Sequence, residues 1–537
     1  MGVRSQSPRA HEETPLLSDN SDATRHSQPK HPKPSRPYKK IILLLCAVLV
    51  LIQCGEELSQ SPQSRISEAI LCYRHYEVAD QSKLLANRTS VGPGAIGGVA
   101  EEQCKIEAVQ NQLSSLRGIQ GFLDGGPSLL LALPFGWAAD RYGRKPILFL
   151  GVLSFVLQAA WVQSVCWFWQ SFDIRWIWAS SLHGLMGGSS PVVSALFFVI
   201  VSDVAPEEER SKVFLQLGGA NLISAVCMPL LAALLMEITP WIPATAGTMG
   251  KACAVLLVLA LPETLGYRHQ TDDNTSLISY EEEGEEEQQG THPTSQPKSK
   301  SKPKPKPNPL TSLRTSTAFL LTDWRVPALT TTFLLHLMVA DSSALTTQYI
   351  STRYHLHLSQ ATTLLTLRAV ANITLLFALL PLLSASLTKH QNLSPLRRDL
   401  YMSRASMAAW ALGWTAFGLA PTLASASLGM GLSALGSGSY FLIRSFLTPL
   451  VPGENVAALY SVVSVVDTLG AMLGAPLLAV LFNRGLRVGV PGLPFLALGA
   501  VCAGVAVLLC VVGVRKDEEE DVGGRDGDGG GGVAGDA

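Results

Sequence analysis

The sequence predicts an all-α polytopic membrane protein, with twelve transmembrane helices in two six-helix halves. Three observations carry this expectation. The chain has 537 residues, 47% hydrophobic and only 15% charged, with mean hydropathy +0.26, whereas a soluble protein carries about 25% charge. Its apolar residues fall in blocks of about 20, the length of helix that spans about 30 Å of hydrocarbon. A low-complexity stretch at 266–325 divides these blocks six and six.

Residues 1–39 are rich in Ser, Pro, His and charge, so they are expected to form a disordered cytosolic arm. The first apolar run starts near Ile41, behind that arm, and has no small-residue cleavage pattern; it reads as a membrane helix. Crossings are expected near 40–56, 116–138, 147–169, 176–201, 213–236 and 244–263, in a first half running 40–265. The second half runs 326–514, with crossings near 326–349, 360–385, 402–420, 424–448, 457–482 and 490–514. The divider sets an acidic patch at 281–287 before a Lys-Ser and Lys-Pro run. The tail, 515–537, is acidic and Gly-rich, and both it and the divider are expected to be disordered and cytosolic.

Basic residues in the short loops set the orientation. Arg141, Arg144 and Lys145, then Arg210 and Lys212, then Lys389, Arg397, Arg398 and Arg404 all fall on one side, which also holds both termini and is therefore cytosolic. The opposite short loops hold only Arg175, Arg353, Arg484 and Arg487. A long external loop is expected at about 58–115; its basic residues do not count against the assignment, because long loops translocate regardless of charge. In that loop Asn87-Arg-Thr89 fits a glycosylation acceptor, or arises by chance. Cys72 and Cys104 would both lie in an oxidising space, where a disulfide is expected. The other cysteines show no metal-binding or Cys-x-x-Cys spacing.

Between the second and third crossings stands Gly136-Trp-Ala-Ala-Asp-Arg-Tyr-Gly-Arg-Lys-Pro-Ile-Leu148. It resembles the signature loop of the major facilitator superfamily, Gly-x-Leu-Ala-Asp-Arg-x-Gly-Arg-Lys-x-x-Leu, with Ala138 where Leu is usual. The resemblance implies the major facilitator fold and alternating access. It makes Gly136, Asp140, Arg141, Gly143, Arg144 and Lys145 a gating set. Asp140 would cap a nearby helix N-terminus, that of the helix beginning near Asn455, and pair with a base. The bases would pair with Asp203 and Glu207, near Arg210, and favour a shut inner gate. The alternative is that the bases only hold the loop in the cytosol. Leu182-His-Gly-Leu-Met-Gly187 resembles the superfamily's fourth-helix pattern Arg-x-x-Gln-Gly, with His183 at the Arg position and Met186 at the Gln position. His183 would then handle protons or simply pack. Antiporters of the superfamily usually carry Gly-Pro in the fifth helix; here Met228 precedes Pro229. Segments 68–76, 104–110, 203–210, 261–265, 364–369 and 444–450 look like a filamentous-fungal branch of transporters and efflux pumps.

Ionisable side chains within the crossings are costly unless paired or wetted. Arg117, Gln120 and Asp124 share one helix face. His336 and Asp341 stand on the seventh crossing, Arg368 with Asn372 on the eighth, Tyr440 with Arg444 on the tenth, and Tyr460 with Asp467 on the eleventh. These stripes either face a shared cavity or pair helix to helix, and Arg117 lies near enough to a helix end to snorkel. Asp124, His183, Asp341, Arg368, Arg444 and Asp467 are the cavity and coupling candidates.

There is no nucleotide loop of the Walker type and no His/Glu metal cluster, so neither cofactor nor metal is expected. A net charge of −1 gives no drive towards nucleic acid. The expectation is a non-enzymatic, monomeric carrier that couples a proton gradient to export of a small organic compound, a metabolite or toxin, across the bilayer. An uptake symporter and a non-transporting membrane sensor are the alternatives. The plasma membrane is the expected site; Glu12-Glu-Thr-Pro-Leu-Leu17, an acidic dileucine pattern, points instead to the vacuolar membrane.

Overall fold

The computed structural model describes residues 37–85, 90–205, 207–264, 323–340, 342–391, 394–452 and 455–514. The expected N-terminal arm, the linker and the tail lie almost wholly outside these residues, as do Asn87, Asp341 and the dileucine pattern. The described residues are helical, with no strand among them. The first half comprises α1 (Pro37–Ala79), α2 (Glu107–Tyr142), α3 (Arg144–Trp167), α4 (Gly184–Gly187), α5 (Ser189–Val204), α6 (Glu207–Met236) and α7 (Trp241–Ala260). The second comprises α8 (Arg325–Ala340), α9 (Ser343–Tyr354), α10 (Leu358–Thr374), α11 (Leu380–Gln391), α12 (Pro395–Leu419), α13 (Leu423–Ala434), α14 (Ser439–Leu447), α15 (Val456–Val488) and α16 (Leu493–Val511). Nine of the described helical stretches are long and apolar enough to cross a membrane. The other expected crossings coincide with α2, α8–α9 and α12. The first and last are diluted by residues such as Gln120, Asp124 and Arg404, and α8 and α9 flank Asp341, which lies outside the described residues.

The long loop expected at 58–115 is a correction. α1 has 43 residues, about 64 Å at 1.5 Å per residue, twice the hydrocarbon thickness. α2 starts already at Glu107, so the loop shrinks to 80–106. The apolar signal fades after Ile52 because the far half of α1 packs on protein rather than lipid. Ile66, Ile70 and Tyr73 keep the helical period and are buried, while Ser64, Ser67 and Glu68 turn to buried polar partners. Cys72 of α1 is joined to Cys104 of the loop by a disulfide.

Three expected single helices are interrupted. The fourth crossing is a 3-10 segment, Ile174–His183, then α4, then α5; the break is Gly188, whose φ of 74° suits glycine. The eighth crossing passes through a π-turn at Leu375–Leu379, and the tenth through a 3-10 turn at Leu435–Gly438.

The halves meet where α2 runs along α15 and α6 along α10. On α2, Gly118, Gly121 and Gly125 face α15 so closely that an added Cβ would stand 2.8, 2.7 and 2.7 Å from Ala479, Ala475 and Met472. The hydrogen bonds that join the halves gather at the end carrying loop 80–106. Ser114 and Ser115 of α2 bond to Asn483 of α15. Gln348 of α9 donates to the Gln110 backbone and side chain, each at 2.9 Å. Gln60 of α1 donates to Ser343 at 3.1 Å.

The second half is held by an aromatic stack. Trp414 and Phe417 of α12 and Tyr349 of α9 surround Phe495 of α16, with ring centroids 4.8–5.6 Å from it. Trp414 is fully buried. Trp414→Ala is expected to cost about 3–5 kcal/mol, read as a fall in the melting temperature of the detergent-purified protein.

Candidate functional site

A cavity of about 540 Å³ lies between the halves, lined by α1, α2 and α7 on one side and by α9 and α15 on the other. Its charged lining is Glu56, Arg117, Asp124 and Lys251. Lys251, on α7, is buried and pairs with Glu56 of α1 at 2.5 Å. Asp124 accepts from Ser181 Oγ at 2.5 Å and Gln158 Nε2 at 2.9 Å. The broken fourth crossing thus serves the site, since its 3-10 turn brings Ser181 to α2. Arg117 lies two turns from Asp124 on α2 and reaches Ser64 Oγ at 3.2 Å, Gln120 Oε1 at 3.4 Å and Gln63 Oε1 at 3.5 Å. It lines the cavity rather than snorkelling to a surface.

The other described candidates, His183, Arg368, Arg444 and Asp467, are elsewhere. His183 stays with its own turn: its Nδ1 faces the Ser180 carbonyl at 3.0 Å and so carries the proton, and the ring centroid is 6.0 Å from that of Trp161. It does not line the cavity. Arg368 lies over the Trp414 ring at 5.5 Å. Asp467 and Arg444 belong to a second cluster inside the second half. Tyr440 donates to Asp467 at 3.4 Å and accepts from Arg444 at 3.2 Å. His336 stacks on Tyr440 at 3.9 Å, its Nδ1 3.7 Å from Asp467 Oδ1. That distance suits a charge pair but is too long for a hydrogen bond, and both atoms lack one. Arg444 also covers the Tyr460 ring at 4.2 Å.

The signature loop is a clamp within the first half. Arg144 is buried and pairs with Asp140 at 2.5 Å and Asp203 at 3.3 Å. Glu263, from the Leu261-Pro-Glu-Thr segment, caps α3: its carboxylate accepts from the Arg144 N–H at 2.8 Å and the Lys145 N–H at 3.2 Å. Lys145 Nζ donates to the Leu259 carbonyl at 2.7 Å. Gly143 is required twice over, by φ of 112° and by the Glu263 carboxylate, 2.4 Å from where a Cβ would stand. Asp140 pairs with a base, Arg144, and among the described residues no bond from it to the α15 terminus and no acid beside Arg141 is found; Arg141 lies against the Trp137 ring at 5.2 Å. Gly136 has open space around it. The side chains of Glu207 and Arg210 lie outside the described residues.

A second polar knot closes the opposite end. Glu101, three residues before the disulfide-bonded Cys104, reaches across to the second half. Its carboxylate accepts from the Leu358 N–H at the start of α10, at 2.7 Å, and lies 3.3 Å from His357 Nδ1. Within its own half it pairs with Arg65 at 2.8 Å and Lys105 at 3.2 Å. Lys105 and Gln110 also hold Glu68, at 2.8 and 2.7 Å. Burial pushes the Glu101 carboxyl up, but Arg65, Lys105 and the Leu358 N–H outweigh it and hold its pKa at about 2.

Glu56, Lys251, Glu101 and Glu263 were not singled out by the sequence reading. Lys251 carried a signal, a lone base inside an apolar run. Glu56 closes the first apolar run and passes for the start of a loop.

The fold, the interfacial cavity and the signature loop can be set beside known proteins. The family model for the Major Facilitator Superfamily matches residues 110–444. The chain belongs to the Major Facilitator Superfamily. It is therefore a multi-pass transporter, with a small-molecule substrate and a lipid surround. It is 29% identical over 516 residues to the MFS efflux pump atnC of Emericella nidulans, covering 95% of this chain and 94% of that one. It is 27% identical to the MFS-type transporter aprT of Aspergillus flavus, covering 88% of each. The nucleoside transporter NupG superposes with a TM-score of 0.54 at 12% identity, covering 87% of this chain and 97% of that one, which shows the shared superfamily fold.

Two outcomes follow for the gates. Asp140→Asn and Arg144→Ala should each lower transport at least tenfold at matched membrane levels, read as the rate at which the substrate crosses the membrane. Glu101 is ionised in the folded protein well below its ordinary value of 4.5. Its stabilisation is therefore full above that value and is lost as pH falls from there towards 2. The melting temperature of Glu101→Gln should lie furthest below wild type at pH 5 and above, with the gap shrinking by pH 3.

Proposed function

We propose that this protein exports a small organic compound in exchange for protons, by alternating access. The observation that carries the proposal is a charged cavity shared by both halves and bonded shut at one end. The signature loop, with Arg141, Arg144 and Lys145, takes the cytosolic side by the positive-inside rule. Loop 80–106, with its disulfide, is then external. The bonded end is the outer one, and the cavity belongs to a state that loads from the cytosol, the state an exporter fills first. The relative atnC is called an efflux pump, which supports the same direction. A proton gradient as the energy source is consistent with the absence of a nucleotide loop in the sequence.

Coupling needs a group that changes protonation between the two half-cycles. Arginine stays charged throughout, so Arg117, Arg368 and Arg444 serve as partners. Asp124 is the first choice, because among the described residues it is the expected titratable candidate that lines the cavity. Asp467, against His336, is the second. The plasma membrane suits export of a metabolite or toxin.

Comparing metabolites in medium and cell extract, with and without the protein, identifies the exported compound. Proteoliposomes with an imposed pH gradient then test coupling. Asp124→Asn is expected to lose gradient-driven accumulation at least tenfold while keeping exchange of the compound across the membrane. Undiminished accumulation by Asp124→Asn, Glu56→Gln, His183→Gln, Asp341→Asn and Asp467→Asn alike would end the proton-exchange reading.

A further inference from the structure

We infer that the transported compound carries a carboxylate, and that Arg117 receives it at the closed end of the cavity. The inference rests on the cavity being the transport site.

Arg117 is a cation with its place for an anion unfilled. A guanidinium offers five N–H donors in one plane. Here the only acceptors within reach are neutral, Ser64, Gln63 and Gln120, at 3.2–3.5 Å. Its Nε is buried with no hydrogen-bond partner. No carboxylate among the described residues lies within 4 Å of it. The other cavity base, Lys251, is neutralised by Glu56 in direct contact. Asp124, seven residues along the same helix, and Glu56 act on Arg117 through space, and each is held elsewhere, Asp124 by Ser181 and Gln158 and Glu56 by Lys251. Coulomb attraction rises as charges approach, so a carboxylate in contact with Arg117 would be held more strongly than either.

The geometry suits such a guest. A carboxylate takes two parallel N–H bonds from a guanidinium fork, and these bonds are stronger than those to neutral oxygens. Arg117 would exchange long contacts with amides and a hydroxyl for short charge-assisted ones, and its orphan Nε would gain an acceptor. Being near the start of α2, it sits at the bonded end, so a compound entering from the signature-loop end would seat its acid group deepest. The rest of the wall describes the rest of the compound. Six glutamines line the cavity, Gln53, Gln60, Gln63, Gln120, Gln158 and Gln348. Several already bond to protein, Gln348 to Gln110, Gln158 to Asp124 and Gln60 to Ser343, and the amide capacity left over matches a body with amides or hydroxyls rather than a bare hydrocarbon. A volume of about 540 Å³ is that of a site for an ordinary drug-sized molecule. The substrate class is a small organic acid with a hydrogen-bonding body, of the N-acyl amino acid kind.

The test uses the full-length protein in detergent and two probes that differ only in the acid group, dansylglycine and dansylglycinamide, followed by dansyl fluorescence at constant ionic strength. Wild type should bind the acid about tenfold more tightly than the amide, equivalent to about 1.4 kcal/mol. Arg117→Gln should bring the two affinities together. Arg117→Lys should restore part of the preference, and melting temperatures of both variants show that they are folded. Equal binding of acid and amide by wild type, a preference that survives in Arg117→Gln, or no saturable binding of the acid would each overturn the inference. No gradient is applied, so the two proposals fail separately. A carboxylate preference in a protein that accumulates nothing under a pH gradient removes the exporter reading alone. Gradient-driven transport with no such preference removes this inference alone.

Discussion

Glu56 and Lys251 sit in the middle of the membrane-spanning part of the first half, and neither could face lipid without a cost of several kcal/mol. Turned inward, they pair at 2.5 Å and fix how α1 crosses α7. The same constraint places Asp124 against Ser181 and Gln158 and Arg117 among amides. Each of these charges recruits partners from a different helix, and the polar interior these partners make is the cavity. Apolar packing surrounds it on the lipid side, with the Val- and Ile-rich core at one end of the first half and the Trp414 stack in the second. Lipid exclusion of charge is thus what gives this bundle a central site at all.

The two ends of the molecule use their polar groups differently. At the loop end, Glu101, Gln348, Asn483 and Ser343 bond from one half to the other. A net contribution of about 0.5–1.5 kcal/mol per bond makes several of them a bias of a few kcal/mol. That suffices to make one state dominant, yet it remains within what a bound compound can offset. The disulfide between Cys72 and Cys104 has a clear part in this, because it holds the segment that presents Glu101. At the signature end the strong contacts, Arg144 with Asp140 and Asp203 and Glu263 on α3, all stay within the first half.

Much of this was legible in the residues. The apolar blocks, the divider and the signature loop gave the fold, and the i, i+3, i+7 stripe of Arg117, Gln120 and Asp124 gave one wall of the cavity. Helical spacing set Tyr440 with Arg444 on one stripe and Tyr460 with Asp467 on another, but spacing cannot say whether a stripe meets a cavity or a neighbouring helix, and here Asp467 meets Tyr440 and His336. The length of α1 was hidden because hydropathy measures contact with lipid, and its far half contacts protein. Glu101 was hidden because its role needs Leu358, far away in sequence. The segments that resembled a fungal branch have physical reasons: Glu68, Lys105 and Gln110 form one buried knot beside the disulfide, and Glu263 caps α3.

The signature loop's role depends on how the halves move. α2, α3, α5 and the chain just past α7 are tied together by Arg144 and Glu263, so this end of the first half moves as one piece. Two rigid halves joined by a glycine-lined seam can rock only if the contacts at one end open as those at the other close. Opening the loop end breaks the Glu101 contacts to Leu358 and His357 but leaves Arg65 and Lys105 in place within the first half, so the carboxylate is never left without a cation. Closing the signature end brings the second half towards Asp140, whose side chain is 61% exposed and bound only through Arg144. An acid already ordered by a buried arginine, yet open to solvent, is in position to meet an incoming helix end without leaving its first partner. On the alternating-access reading proposed above, each end would keep its charges compensated in both states, and the equilibrium between them would stay shallow enough for a substrate to tip.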